Sequence, residues 1–505
     1  MAANLSEGQD RLVMNGVYSA ASWFVPLLIA FVATPLMVRG LGNEEFGLYS
    51  LILGFVGYSF TFGIGRIAGK YVAEYRASGE PEKAAQAVSA TLWLSLIAAA
   101  LGVIAILIAA RSIVTVVLNI PPDHEQAAVM SLYIAAAAIV AVMISQVFQC
   151  TLQGVHRFDR YLLLLNLYGV ILNVGSVALV LLGRGVVPLL IWFLVSNCII
   201  GLLNYLSARK FVKEFTFRVS IDRRIWSAVF RYGGNIILHQ IFGNLLLIFE
   251  RSWITRHFGA EELTFYVVPM TLGLYLHGFI SSLVLVLFPV VNEVLDDRER
   301  LSTIYKRATK IVTSLLILAV VSTVVGGQAF LTRWVGPDFA ARAHWLLIIH
   351  VLTFALLANS TIVWQITEGF HRAGINALIA FLWFAISAPL MVVWSGNMGS
   401  EGVALARLIG VLVTLPMIYY VERRFLTISQ FSFWAVNLLK LAVAAAGAGI
   451  IEWLIFTNFP VSWPILLAGF LSGGLIYMGL LLVLEYFNRG ERERITGLVF
   501  RRQSI

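Results

Sequence analysis

Long apolar runs separated by short polar turns dominate the chain, and each is close to the about 20 residues an α-helix needs to cross a bilayer. Fourteen runs of this kind are read, at 13–38, 46–68, 88–110, 127–150, 162–182 and 186–208, then 230–255, 263–291, 311–331, 345–367, 375–394 and 403–421, with 434–456 and 464–486 as an extra pair. The pattern predicts an all-α polytopic membrane protein of fourteen transmembrane helices. They divide into two pseudo-symmetric six-helix lobes and a C-terminal pair.

The division rests on a stretch used twice. Arg39, Gly42, Glu44, Glu45 and Tyr49 fall in the same register as Arg256, Gly259, Glu261, Glu262 and Tyr266, each copy joining two apolar runs. A second echo sets Gly154, His156 and Arg157 against Gly369, His371 and Arg372 at nearly the same offset. Two echoes in one order indicate a duplicated half, and carriers built from such repeats bind their cargo where the halves meet. The reading gives an N-lobe at 1–210, a basic cytoplasmic linker at 211–228, a C-lobe at 229–424 and the last two spans with a cytoplasmic tail at 425–505.

Composition agrees with the pattern. Hydrophobic residues make up 59% of the chain and charged residues 12%, about half the charge of a soluble protein. The first run lacks a small-residue cleavage site and reads as a retained helix. Cys150 and Cys198 are the two cysteines, each within an apolar run, so no disulfide framework or CxxC metal motif is available. Most of the 36 Lys and Arg fall on one side of the predicted membrane, which places both termini in the cytoplasm. The net charge of +9 then reflects topology and attraction to anionic lipids rather than nucleic-acid binding. The mixed-charge segment 292–310 is expected to form a cytoplasmic helical extension.

Ionisable groups inside spans are default site candidates, because they require a partner or a wet cavity. The seventh span carries Asn235, His239, Gln240, Asn244, Glu250 and Arg251. At about 100° per residue, Gln240, Asn244 and Arg251 share one stripe, and Asn235, His239 and Glu250 another. A lipid-facing helix does not tolerate two polar faces, so this span is interior. Three roles are open: interhelical hydrogen bonding, an anion site of Arg251 and His239 with Arg66, Lys70 or Arg231, or proton or sodium coupling at Glu250. Arg407 is expected to pair with Glu401 or to face the cavity, and Lys440 and Glu452 to snorkel or pair locally. His277 reads as a core histidine. Pro26, Pro35, Gly63, Gly65, Pro269, Gly278 and Pro289 interrupt spans and suggest kinks. No HExxH, GxSxG, P-loop or paired-carboxylate signature occurs, so the chain is not read as an enzyme and no cofactor or metal is expected. A glycosyltransferase or polymerase would need loop carboxylates or a large outer loop, and only short loops are read.

The run Leu41 to Ser50, together with Gly63, Ile64 and Gly65, Val72 to Arg76, Phe258 to Glu262, Tyr266, and Phe288 with Pro289, resembles the polysaccharide transporter branch of the multidrug/oligosaccharidyl-lipid/polysaccharide (MOP) exporter superfamily, which includes O-antigen flippases. The resemblance covers roughly residues 10 to 425. It implies two lobes around a cavity, alternating access, and export of an undecaprenyl-diphosphate-linked oligosaccharide across the bacterial inner membrane, with membrane lipids and the polysaccharide polymerase or chain-length machinery as partners. Outward movement of a diphosphate is electrically downhill by about 2.3 kcal/mol per charge per 100 mV. A multidrug and toxin extrusion (MATE) antiporter and a peptidoglycan-precursor flippase are the nearest alternatives. The second copy departs from the first in carrying Thr264 where the first has Gly47.

Overall fold

In a computed structural model, the described residues are 25, 27–59, 63–217, 223–285, 294–370, 372–426 and 430–488, and they are helical almost throughout, with no strand among them. In chain order the helices are α1 (Leu27–Leu41), α2 (Asn43–Ser59), α3 (Gly65–Ala77), α4 (Pro81–Ser112), α5 (Pro122–Gly154), α6 (Phe158–Leu181) and α7 (Val186–Arg209). Then follow α8 (Arg223–Leu285), α9 (Arg298–Trp334), α10 (Pro337–Gly369), α11 (Ala373–Val411), α12 (Thr414–Phe425), α13 (Gln430–Asn458) and α14 (Trp463–Val483).

Local chemistry explains many of the starts. Proline occupies the first turn of α4, α5, α10 and α14, where its missing N–H costs nothing. Asp297 caps α9, its side chain accepting from the Arg300 amide at 3.0 Å, and the helix then runs unbroken to Trp334. The expected helical extension is therefore present from Arg298. At its C-terminal end α4 widens into a π-turn, Ile113–Val117.

Ten helical segments among the described residues are long and apolar enough to cross a membrane. Large apolar side chains stay exposed along them, among them Ile108, Leu475 and Val483 at 80%, 74% and 78%. An apolar surface of this extent is stable only against lipid, and the protein is a multi-pass membrane protein. The longest segments are not single rods: α8 leaves helical geometry at Gly259 and α11 at Gly399. The apolar run at 46–68 is likewise divided, α2 ending at Ser59 and α3 beginning at Gly65 after Gly63 at φ 66°. Apolarity marks how much chain is buried in lipid, and backbone geometry decides where the helix turns.

The chain forms two compact units. The larger holds the described residues up to Val268 together with Ala373–Gly410. Its centre is α5, which packs on α2, α3, α4, α6 and α7. Small residues bring these backbones close: a Cβ on Gly154 would strike the Gly69 backbone, and Ala84, Ala85, Ala135 and Ala136 are buried. The first part of the basic linker belongs to this core, with Val212 and Phe215 buried against Phe148, Leu152 and Ala208. In the smaller unit, of Pro269–Arg372 and the described residues from Val411 on, α9 packs on α10, α13 and α14. Two carboxylates there are held by neighbours: Tyr305 and Trp434 donate to Glu422 at 2.6 and 2.8 Å, and Ser322 donates to Glu452 at 2.6 Å.

Candidate functional site

The two copies of the repeated stretch meet inside the larger unit. Each turns its chain at a glycine in left-handed geometry, Gly42 at φ 81° and Gly259 at φ 87°, a conformation that costs a residue with a Cβ about 1–2 kcal/mol. Beyond the turns the copies touch reciprocally. Gly47 lies so near the Ala260 carbonyl that a Cβ would overlap it, and Thr264 donates through Oγ1 to the Asn43 carbonyl. Gly47 corresponds to Thr264 in the repeat and Asn43 to Ala260, so one local pseudo-twofold axis relates the two contacts. The departure noted in the sequence thus has a use: glycine lets the backbones close on one side, and threonine supplies a hydrogen bond on the other. Gly47→Ala is expected to destabilise the protein by about 1–3 kcal/mol through overpacking, and Thr264→Ala by about 1 kcal/mol through one lost hydrogen bond. Thermal melts of the purified variants in detergent test the order.

A buried charged cluster begins just before the second copy and takes in its Tyr266. Glu250, at 0% exposure, accepts from the Arg407 guanidinium through Oε1 and from the Tyr266 hydroxyl through Oε2 at 3.1 Å. Arg407, at 2%, stands over the Trp383 ring, 5.3 Å from guanidinium carbon to centroid, and the Trp383 indole donates to the Arg407 carbonyl at 3.3 Å. The neighbouring Arg251 is also buried, and its guanidinium donates to the Ser50 carbonyl of α2 at 2.9 Å. Its stem and head lie against Gly54, where a Cβ would come within about 3 Å of them. The cluster therefore joins α8, α11, α2 and the turn after Gly259. Glu250, Arg407 and Arg251 thus place one carboxylate and two guanidinium groups together in the interior.

The structure brings together Glu250, Arg251 and Arg407 of the candidates read from the sequence, and it places Asn244, also buried, two turns before Arg251 on the same helix. Arg407 pairs with Glu250 and not with Glu401. Six helical positions turn Arg407 about 240° from Glu401, so that pairing lacked the geometry. Arg66 and Lys70 are exposed one turn apart on α3, with the Lys70 ammonium 4.9 Å from the Tyr71 ring centre. The side chains of Arg231, Asn235, His239 and Gln240 lie outside the described residues. Tyr266, Ser50, Gly54 and Trp383 were not found as site residues from the sequence. For Tyr266 a signal existed, since it repeats Tyr49. In the second copy Tyr266 donates to a carboxylate.

A smaller cavity of about 220 Å³ opens beside the reciprocal contact, where Glu44, Glu45, His124, Arg256 and His257 mix both signs of charge. His124 stands 3.4 Å from Glu44, and Arg256 caps the π-turn by donating to the carbonyl of Val116. Among the described residues no three His, Cys, Asp or Glu side chains converge as a metal shell.

With this geometry in place, comparison with known proteins is informative. Over 383 residues the chain is 21% identical to the "Putative O-antigen transporter" of Shigella flexneri, covering 73% of this chain and 87% of that protein. It is 22% identical over 421 residues to the "Uncharacterized membrane protein EpsK" of Bacillus subtilis (strain 168), covering 80% of this chain and 81% of that one. In structure it is similar to the lipid II flippase MurJ in an inward closed conformation, with TM-score 0.72 and 14% identity over 93% of this chain and 99% of that chain. It is also similar to an inward-facing multidrug resistance MATE family transporter of the MOP superfamily, with TM-score 0.68 and 17% identity over 80% and 98% of the two chains. The fold is that of MOP-superfamily transporters, as the sequence resemblance implied, and neither family nor fold is an enzyme's. The profile described as "Polysaccharide biosynthesis protein" matches residues 12–295, more than half of the chain and both copies of the repeated stretch, and the chain belongs to that family.

Proposed function

We propose that this protein is a flippase carrying an undecaprenyl-diphosphate-linked oligosaccharide from the inner to the outer leaflet of the bacterial cytoplasmic membrane by alternating access. The observation that carries the reading is the asymmetry of the repeat. Where the span ahead of the first copy carries Leu27, Ala33 and Thr34, the span ahead of the second carries Asn244, Glu250 and Arg251, part of a buried cluster with two arginines suited to a diphosphate head. Family membership and the Shigella relative support the class of cargo.

In this reading the chain crosses the membrane fourteen times with both termini inside. Breaks at Gly259 and Gly399 support the count, since each divides one long helix into two spans. The lobes are 1–210 and 229–424, with 211–228 as linker and 425–505 appended. They are units of sequence repetition, whereas the compact units described above are units of contact. Arg251 and Arg407, with Asn244, Asn235, His239 and Gln240, line the path of the head group. Arg66, Lys70 and Arg231 meet it at the inner face. Glu250 holds Arg407 in place and is a poor cation-coupling site while it does so, which weighs against a drug antiporter.

Deletion of the gene tests the reading. A lipid-linked oligosaccharide is expected to accumulate on the inner face while surface polysaccharide falls, and an unchanged surface polymer would refute it. The match to the lipid II flippase along 93% of the chain keeps a peptidoglycan precursor as a second cargo. Rescue of a strain lacking its own precursor flippase would select that cargo.

A further inference from the structure

A cavity of about 460 Å³ lies wholly within the smaller unit, between the start of α9, the start of α13 and the residues that follow α14. Four of its walls are cationic: Lys306, Arg307 and Lys310 from α9, and Lys440 from α13. Glu485 is the single carboxylate among the described residues of the lining, which leaves an excess of positive charge among them. Lys306 and Lys310 are one helical turn apart and share a face, with Arg307 beside them. Concentrating like charges in a concave site costs free energy that an anion offsets.

These side chains are held. The Lys310 ammonium donates to the Tyr486 carbonyl at 2.9 Å, and the buried Tyr486 returns a bond from its hydroxyl to the Lys310 carbonyl at 3.0 Å. Lys440 donates to the Glu485 carbonyl at 3.1 Å, using one of the three N–H groups of its ammonium. Among the described residues neither Lys306 nor Arg307 has a carboxylate partner. Lys440 therefore does more than snorkel or pair locally: it closes a cationic wall built from two helices and the end of a third.

The source of the anion is indicated by what borders the cavity. Val436 lines it at 50% exposure, and Phe431 and Leu439 on the same helix are 87% and 68% exposed. A cationic cup continuous with an apolar helix face matches a molecule with a charged head and acyl chains. Basic pockets between spans on the cytoplasmic side hold lipid phosphates in this way. We propose that this cavity binds a phosphate group, carried by an anionic membrane lipid whose chains run along α13.

The full chain, purified in detergent, is given equal amounts of phosphatidylglycerol and phosphatidylcholine with identical acyl chains, and retained lipid is measured by native mass spectrometry. Phosphatidylglycerol is expected to be retained preferentially. Each neutralised cation is expected to weaken its retention about fivefold, and the pair Lys306→Gln with Arg307→Gln about 25-fold. Lys306→Arg, which keeps the charge, is expected to retain the wild-type preference, and melting curves show that the variants are folded. Inorganic phosphate is the second probe: saturable binding of phosphate without any preference between the lipids supports the phosphate site and moves its source to the soluble anion. Equal retention of both lipids together with no phosphate binding overturns the proposal. So does a preference that persists unchanged in the doubly neutralised variant.

Discussion

Exchange of Arg407 for alanine is expected to lower the stability of the folded protein by about 3–5 kcal/mol, the usual cost of leaving one member of a buried ion pair alone. The expectation follows from exposure: Glu250 and Arg407 have 0% and 2% of their surface accessible, so water cannot replace the lost partner. Tyr266 still donates to Glu250 but brings no charge. The double variant Glu250→Gln with Arg407→Met is expected to recover most of the loss, because it removes both charges and keeps an acceptor for the Tyr266 hydroxyl. Thermal melts in detergent decide the matter. If the double variant is no more stable than Arg407→Ala, the pair is not the source of the effect.

The second large effect concerns transport. Arg251→Ala is expected to abolish export of the lipid-linked sugar while protein levels stay near normal. Its structural cost is moderate, about 1.5–3 kcal/mol for one lost hydrogen bond from a charged group, well below that of Arg407→Ala. Its functional cost is the removal of one of the two guanidinium groups of the cluster. Surface polysaccharide and protein abundance are measured together. Unchanged polysaccharide removes Arg251 from the site, and a fall in both that restores together at lower growth temperature assigns Arg251 to stability alone. The contrast is useful because the two arginines lie in one cluster: Arg407 donates to the Glu250 carboxylate, and Arg251 to the Ser50 carbonyl.

Several features of the site were legible beforehand for physical reasons. Two polar stripes on one apolar helix mark an interior position whatever surrounds them, and Asn244, Glu250 and Arg251 are buried as that rule requires. The repeated stretch was visible because a duplicated turn keeps the residues its backbone needs, and both Gly42 and Gly259 adopt left-handed geometry. Tyr266 was within reach, as the mate of Tyr49, but its partner was not. Glu250 and Arg407 are 157 positions apart, and sequence reasoning offered Arg407 either the cavity or a neighbour, Glu401, that points elsewhere around the helix.

By itself, then, the sequence determined that this chain lives in a membrane, where a stretch is repeated and which helix carries the polar burden. All of these are properties of local composition and period, fixed by the cost of placing polar groups in lipid. The tertiary structure alone decided which charge pairs with which, that the two copies of the turn touch through Gly47 and Thr264, where long apolar runs break, and that Lys440 shares one cavity with three cations of a helix far from it in sequence. These depend on close packing between segments far apart in the chain, where an ångström separates a hydrogen bond from a clash and no local pattern records the distance.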